Sequence, residues 1–489
     1  MKQTYRTFIT IGLTVAVLLF MHQLPTLTIG GIQLRPVSIL SDLTQGKDDR
    51  QQIDVIPKPK QQPLLVQADT IDGKQVTFKE EWPKDVVRIT DYSGGQPGGM
   101  SHFYTQLSRL LCKKELPGRP VRIAYYGDSF IEGDILTADL REMLQTRYGG
   151  YGPGWIDAGN IINSMRLTIS ARYSGLTEHT VMKRKENGYD FGKAGICERY
   201  YPYGTGSRMT FTATDHYPHA AKWQEARLYL RTAAPPSTPE GAAIVTPTGD
   251  DKTQWTTTLQ SAPANTTVIK TQAAEASPRG GLGGGMTGIS YQMHGSGTLF
   301  GVGLETSNGI VVDNFSMRGS SGMTLASLPE QTLKDFARLR PYDLIVIQFG
   351  QNAVTAKGTA KQYEHYMTQM KKVVELFRKC FPEASILLVG ASDRAQRGPE
   401  GLTTIRTLDL MIAAQEQAAA DCKIGFYNLW QAMGGKGSIV KFVEQGMGAK
   451  DYIHINYKGG KAVAEAIYQS IVAGESNYTN YYKEKGSWK

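Results

Sequence analysis

Four short apolar runs, each followed by a stretch of helical periodicity, constrain the fold of this chain more than any other feature. The runs are Val121–Tyr126, Asp343–Phe349, Ser385–Val389 and Ile424–Asn428. Strands without polar alternation are typical of parallel sheets, because helices cover both of their faces. The sequence therefore predicts a three-layer α/β/α fold with a parallel sheet. The predicted helices are Ile131–Tyr148, Lys361–Cys380, Thr403–Cys422 and Lys458–Ala473.

A segment from about residue 163 to residue 300 interrupts this alternation. It carries short β-like runs between turns rich in Pro, Ser and Gly, which predicts an inserted β-sandwich domain. The three tryptophans Trp155, Trp223 and Trp255 are candidates for sugar stacking, although most tryptophans in such domains pack in the core. The β-like runs are Arg208–Ala213, Glu225–Arg231, Trp255–Gln260 and Thr266–Thr271.

The N-terminus resembles an export signal. Lys2 and Arg6 precede an apolar run, Phe8–Met21, that is long enough for a signal core and short for a membrane span. We interpret it as a signal peptide or an uncleaved anchor, with a buried helix as the alternative. The predicted division is a signal or anchor at 1–24, a tether at 25–75, an α/β domain at 76–162 and 301–475, the insertion at 163–300 and a tail at 476–489.

The charge composition argues against a nucleic-acid partner. The 54 Lys and Arg exceed the 45 Asp and Glu by nine, but they are spread along the chain, so no nucleic-acid partner is expected. A solvated basic surface explains this excess, and attraction to an acidic envelope polymer is the alternative. Cys380 and Cys422 each end a predicted helix just before a predicted strand, so they could meet at one sheet edge or remain buried thiols.

Two further patterns suggest a metal or a nucleotide but are weak. His216 and His219 are separated by Pro218, which favours a surface loop over a metal site. The glycine pattern from Gly283 to Gly288 precedes a β-like run instead of a helix, which favours a loop over a phosphate site. We therefore expect neither a metal nor a cofactor.

Three motifs that carry chemistry follow the predicted strands or precede the last helix. Ser129, in Gly127-Asp128-Ser129, is a candidate nucleophile beside a helix N-terminus. Asn352, in Gly350-Gln351-Asn352, offers a neutral donor to an oxyanion. Asp451 and His454 have the spacing for a carboxylate that orients an imidazole, which would accept the serine proton. Together they predict a serine-dependent acyl transfer site.

These motifs resemble the four sequence blocks of the SGNH/GDSL serine hydrolases. Ser129 matches the first block, Asn352 the third, and the pair Asp451 and His454 the fourth. The resemblance implies an oxyanion hole formed by Ser129, Asn352 and a glycine of the second block, which is Gly319 or, in another register, Gly322. Two departures are Phe130, where the family often has Leu, and Ala353, where many members have Asp.

One branch of the family is the most similar. The stretches GDSFIEGDILTADLREML and GTLFGVGLETSNGIVVDNFSMRG resemble periplasmic peptidoglycan O-acetylesterases and O-acetyltransferases, which carry a carbohydrate-binding-like module between the first two blocks. The resemblance implies an envelope esterase that acts on an acetylated polysaccharide. One alternative is an O-acetyltransferase supplied by a membrane-bound O-acyltransferase. The other is an inactive protein that binds envelope polysaccharide.

Overall fold

The computed structural model describes residues 80–484, except 96–97, 113–117, 233–235, 250–253, 274–284 and 399–400. It also describes four strands nearer the N-terminus, at 28–29, 32–33, 66–71 and 74–79. Residues 1–55 and 56–489 form two separate compact units. In the first unit the described structure is one antiparallel strand pair, Thr28–Ile29 with Ile32–Gln33.

In the described part of the second unit, strands and helices alternate except across residues 154–316, where strands predominate. Including the pair in the first unit, the strands are β1 (Thr28–Ile29), β2 (Ile32–Gln33), β3 (Val66–Ile71), β4 (Lys74–Lys79), β5 (Ile89–Asp91), β6 (Val121–Gly127), β7 (Gly154–Asp157), β8 (Ile169–Ser174), β9 (His179–Thr180), β10 (Arg199–Tyr203), β11 (Arg208–Ala213), β12 (Glu225–Thr232), β13 (Ala243–Gly249), β14 (Trp255–Ser261), β15 (Thr266–Ala273), β16 (Met286–Met293), β17 (Gly297–Glu305), β18 (Ile310–Ser316), β19 (Leu344–Gln348), β20 (Ser385–Val389), β21 (Ala395–Gly398), β22 (Gly401–Thr404) and β23 (Gly425–Tyr427). The helices are α1 (Ser101–Cys112), α2 (Thr137–Tyr148), α3 (Pro239–Ala242), α4 (Glu330–Leu339), α5 (Ala360–Cys380), α6 (Leu408–Cys422), α7 (Leu429–Ala432), α8 (Ser438–Glu444) and α9 (Tyr457–Glu484).

The parallel sheet that the sequence predicts is present. Its strand order is β18-β6-β19-β20-β23-β5, and β5 alone runs antiparallel to its neighbour. Gly127 at the end of β6 is level with Ser316 of β18 and Gln348 of β19. These three strands therefore end together, at what we call the carboxyl edge of the sheet.

Helices cover both faces of this sheet, as the apolar strands require. Along β6, Ile123 and Tyr125 belong to the core shared with α1, α2 and α9, whereas Ala124 and Tyr126 belong to the core shared with α4, α5 and α6. Alternate side chains of one strand thus supply two separate cores. The result is a three-layer α/β/α arrangement.

Between β6 and β18 the chain builds two antiparallel sheets, which we call the two-sheet region (Gly154–Glu305). One sheet has seven strands, from β7, β9, β10, β12, β14, β15 and β17, and the other has four, from β8, β11, β13 and β16. Phe211 of the smaller sheet and Leu228 of the larger share one apolar core. The region begins earlier and ends later than the predicted 163–300, because β7 pairs with β17.

Aromatic packing joins the two-sheet region to the α/β layers. The indole of Trp155, which is fully buried, lies 5.9 Å from the ring of Phe336 in α4 and 5.8 Å from that of Phe315 in β18. Tyr229 of β12 stacks on Phe336 at 5.3 Å. Trp155 and Trp223 are therefore core residues and not sugar-stacking platforms. Trp255 is partly buried against the core that contains Trp223.

Three local features differ from the sequence-based expectation. The predicted helix at 131–148 begins at Thr137, after a short 3-10 turn at Glu132–Asp134, and the predicted helix at 403–422 begins at Leu408. Residues 476–484, predicted as a tail, continue α9. They pack on α1 through hydrogen bonds such as that between Ser108 Oγ and Thr479 Oγ1, at 2.7 Å.

The predicted signal or anchor, residues 1–24, lies outside the described residues, as does most of the predicted tether. Among the helices that the structure describes, none combines the length and apolar character needed to cross a membrane. All four cysteines are described and none forms a disulfide, so Cys380 and Cys422 are free buried thiols.

A buried ionic network lies where the two-sheet region meets the parallel sheet. Arg340, at the end of α4, pairs with Asp313 of β18 at 2.6 Å and with Glu305 of β17 at 3.0 Å, and Glu305 also pairs with Arg122 of β6 at 2.7 Å. All four side chains are almost fully buried. Burial alone would raise the pKa of Glu305, but the two guanidinium groups hold that pKa well below its ordinary value.

Replacing Arg340 with Met should lower the free energy of unfolding by about 3–5 kcal/mol, because the change leaves Asp313 buried without its ion-pair partner. Urea denaturation of the purified full-length protein measures this loss. Arg338→Met changes an exposed arginine in the last turn of the same helix and should cost less than about 0.5 kcal/mol. Equal losses in the two variants would contradict a structural role for the network.

Candidate active site

The candidate nucleophile follows the central strand of the sheet. Ser129 lies two residues beyond the end of β6, and its hydroxyl Oγ is 2.9 Å from Nε2 of His454. The serine side chain is partly exposed at the carboxyl edge of the sheet. An imidazole nitrogen at this distance can accept the hydroxyl proton directly.

The imidazole is oriented by the predicted carboxylate. Nδ1 of His454 is 2.7 Å from Oδ2 of Asp451, and Oδ1 of Asp451 accepts the backbone N–H groups of Ile453 and His454 at 2.9 and 3.0 Å. Burial raises the pKa of Asp451, but these hydrogen bonds outweigh it and lower the pKa overall. The carboxylate therefore stays ionised and favours the tautomer in which Nδ1 carries the proton.

The loop after β18 supplies the candidate oxyanion glycine; we call Met317–Gly322 the oxyanion loop. Among the described residues, the backbone N–H groups of Gly319 and Ser129 have no hydrogen-bond partner, whereas that of Gly322 donates to Ser320 Oγ at 3.0 Å. A free N–H group can stabilise an oxyanion and an engaged one cannot. The geometry thus favours Gly319 over the alternative register at Gly322.

Asn352 lies at the same edge but its amide is already engaged. Its Nδ2 donates to Asp128 Oδ2 at 3.1 Å and to the backbone carbonyl of Ser320 at 2.9 Å. Asn352 therefore ties the loop after β19 to the loops after β6 and β18. To donate to an oxyanion as predicted, this amide would have to share or release one of these two bonds.

Asp128 is a buried residue of the site to which sequence reasoning assigned no role. It is 2% exposed, and Oδ1 accepts the N–H of Phe130 at 2.9 Å while Oδ2 accepts from Asn352. Burial raises the pKa of Asp128 to about 6, although the Phe130 N–H and the nearby His454 oppose this rise. An Asp whose carboxylate accepts the N–H two residues later is a common turn pattern, and this was the signal in the sequence.

The other candidate sites have structural explanations. His219 Nδ1 is 2.7 Å from Glu142 Oε1, and its ring lies 5.0 Å from that of Tyr151. In the part of the chain that the structure describes, no three His, Cys, Asp or Glu side chains form a group that could hold a metal ion. Gly283 lies outside the described residues, and Gly288 lies within β16.

Comparison with known proteins identifies the family. Residues 282–462 match the model of the GDSL-like lipase/acylhydrolase family, a span that includes Gly319, Asn352, Asp451 and His454. The chain therefore contains a GDSL/SGNH-type acylhydrolase domain, which identifies it as an esterase. Ser129 precedes the matched span because the two-sheet region separates it from the rest of the α/β fold. No curated protein matches the chain.

Comparison with solved structures shows how much of the chain shares a known fold. A structure entitled "Peptidoglycan O-acetylesterase in action" is 21% identical, with a TM-score of 0.60, and covers 79% of this chain and 99% of its own. A carbohydrate acetylesterase from Sinorhizobium meliloti is 15% identical with a TM-score of 0.25, covering 34% of this chain and 79% of its own. An acetylxylan esterase from Geobacillus stearothermophilus is 19% identical with a TM-score of 0.25, covering 33% of this chain and 73% of its own. The first of these likenesses shows a shared fold that extends beyond the α/β layers.

Gly319 and Gly322 both have positive φ, at 76° and 81°, but their surroundings differ. A Cβ added at Gly319 would meet only Met182 at 3.5 Å, whereas one at Gly322 would lie 2.6 Å from the Phe349 ring. Gly319→Ala should therefore cost about 1–2 kcal/mol of backbone strain. Gly322→Ala should cost about 1–3 kcal/mol more, because it also overpacks the core. Urea denaturation measures both, and equal losses would contradict this difference.

Proposed function

We propose that this SGNH hydrolase removes O-acetyl groups from a polysaccharide of the cell envelope, such as peptidoglycan, with Ser129 as nucleophile. The observation that carries the proposal is the hydrogen-bonded series from Ser129 Oγ through His454 to Asp451, with bonds of 2.9 and 2.7 Å. The backbone N–H of Ser129, and that of Gly319 in the loop after the neighbouring strand β18, have no hydrogen-bond partner among the described residues. Such an arrangement both activates a hydroxyl and receives the negative charge that its attack creates.

In the first step, Ser129 Oγ forms a bond to the ester carbonyl carbon while its proton moves to Nε2 of His454. The carbonyl oxygen becomes an oxyanion, which the N–H groups of Ser129 and Gly319 stabilise. The bond from carbon to the sugar oxygen then breaks, and His454 gives its proton to that oxygen. The products are the free sugar hydroxyl and an acetyl ester on Ser129.

In the second step, water attacks the acetyl carbon while His454 removes one of its protons. The tetrahedral intermediate collapses, the bond to Ser129 Oγ breaks, and His454 returns the proton to the serine. Acetate leaves and the enzyme is restored. Asp451 stays ionised throughout and stabilises the imidazolium in both steps. A sugar hydroxyl in place of water would make the same residues an O-acetyltransferase.

Exposure of the site supports a polymeric substrate and hydrolysis. The side chains of His454 and Asp451 are 38% and 46% exposed. An acetyl group projecting from a large glycan can reach such an open site, and water can reach it as well. Free access of water favours the esterase over the transferase, which must exclude it.

The two-sheet region supports a glycan partner. The solved structure whose title names a peptidoglycan O-acetylesterase is 21% identical to this chain and covers 79% of it. This share of the chain is larger than the share that forms the α/β layers. We propose that the two-sheet region is a carbohydrate-binding-like module and that residues 1–24 direct the enzyme to the envelope. Because Trp155 and Trp223 are buried, the module would bind sugar through other, exposed side chains.

Ser129→Ala should lower the release of acetate from O-acetylated peptidoglycan by at least about 10⁴-fold, because it removes the hydroxyl that His454 Nε2 contacts. Acetate release by the full-length protein measures this. Ser101→Ala, at the start of α1 near the opposite edge of the sheet, should leave the rate unchanged.

Three results would overturn the proposed hydrolysis. Turnover that persists in Ser129→Ala would exclude the nucleophile. Absence of turnover in wild-type protein that still sediments with peptidoglycan would identify a binding protein. Acetyl transfer to an added glycan acceptor, without release of acetate, would identify a transferase.

The rate should fall in acid, because His454 must be neutral to accept the proton of Ser129. Initial rates with 4-nitrophenyl acetate, corrected for its spontaneous hydrolysis, measure the profile. A rate that stays constant down to about pH 4 would exclude a histidine base.

A further inference from the structure

A buried arginine of the two-sheet region contacts the end of β18, next to the oxyanion loop. Arg199 of β10 is 6% exposed, and its Nη2 donates to the backbone carbonyl of Ser316 at 2.8 Å. Its Nη1 donates to Asp157 Oδ2, also at 2.8 Å. One guanidinium thus links a carboxylate of β7 to the residue immediately before the oxyanion loop.

Neighbouring elements of the two-sheet region contact the same loop. Thr180 of β9 donates its hydroxyl to the sulfur of Met317 at 3.3 Å, and Arg199 Nη2 lies 3.7 Å from that sulfur. The methyl group of Met182 lies where it would touch a Cβ on Gly319, at 3.5 Å. The two-sheet region therefore contacts the loop at its first residue, Met317.

On its other side, the oxyanion loop is held by β6, the strand that precedes Ser129. The N–H of Met317 donates to the carbonyl of Gly127 at 2.8 Å, and Gly127 precedes Ser129 by two residues. The peptide between Ser316 and Met317 is thus held by Gly127 through its N–H and by Arg199 through its carbonyl. These two bonds set the position of the loop relative to Ser129.

We propose that Arg199 is a positioning residue, through which the two-sheet region holds the Gly319 N–H in place to stabilise the oxyanion. This inference rests on the proposed function. Donors to an oxyanion must lie about 2.7–3.1 Å from it, and a displacement of about 1 Å can lower the rate about 100-fold. The two-sheet region then contributes to the chemical step and does not act only as a separate glycan-binding module.

The test separates transition-state stabilisation from folding. Arg199→Lys keeps a positive charge for Asp157 but lacks the planar fork that reaches both Asp157 and Ser316. We expect kcat for 4-nitrophenyl acetate to fall about 10–100-fold, with KM changed less than about threefold. We also expect the Kd of methylboronic acid, which forms a tetrahedral adduct with a nucleophilic serine, to rise by a similar factor.

The Kd of methylboronic acid distinguishes a displaced oxyanion loop from partial misfolding. A variant that is partly misfolded has fewer active sites, but the Kd of the remaining sites does not change. Arg227→Lys is the matched control, because Arg227 pairs with Glu225 and Glu305 in the same region and has no described contact with the oxyanion loop. The control should leave both kcat and Kd unchanged. An unchanged Kd in Arg199→Lys would overturn the proposal.

A second variant keeps the proposal testable if Arg199→Lys does not fold. Thr180→Val keeps the β-branched shape of the side chain and removes only the bond to Met317, so the Kd of methylboronic acid should rise about two- to fivefold. No rise would count against the proposal. Failure of the proposed function is a separate outcome, because it shows either as turnover of 4-nitrophenyl acetate that persists in Ser129→Ala or as absence of turnover in the wild-type protein.

Discussion

The register of three parallel strands is the constraint on which the candidate site depends. Gly127 of β6 is level with Ser316 of β18 and with Gln348 of β19, so the loops that follow these strands leave the sheet at one height. Those loops carry Ser129, Gly319 and Asn352. A shift of one residue in either pairing would move a loop by about 3.3 Å, more than a hydrogen bond tolerates. Backbone pairing, more than contact between the site side chains, therefore brings the loops of the site together.

The structure also explains why the two-sheet region is not an appendage. Its larger sheet has an apolar core on each face, one shared with the smaller sheet and the other with α4 and β18. Buried charges cross the same boundary, because Glu305 belongs to β17 while its partners Arg122 and Arg340 belong to the α/β layers. Residues 56–489 accordingly form one compact unit.

Much of this arrangement was accessible from the sequence, and the remainder was not for physical reasons. Apolar runs predicted the strands β6, β19 and β20 and the three layers, because burial on both faces leaves a clear pattern. The helix predicted at residues 131–148 begins only at Thr137 in the structure. Gly133 has a positive φ, at 62°, which helical periodicity does not reveal. Motif spacing indicated Ser129, Asp451 and His454, which the structure brings together. Arg199 and Asp128 were missed because their roles come from contacts between distant elements, and a single buried arginine or aspartate leaves no periodic signal.

Two sets of charged groups in this molecule differ in burial. Arg340, Glu305 and Asp313 are almost fully buried and hold one another in fixed positions, so a change in protonation there would leave an unpaired charge in the core. Asp451 and His454 are partly exposed, so solvent can adjust as a proton moves between His454 and Ser129. Asp128 lies between these sets, since it is buried yet adjacent to the site and has a pKa of about 6. A positive charge on His454 favours the ionised form of Asp128, so the proton transfer that activates Ser129 also strengthens the acceptor that holds Asn352.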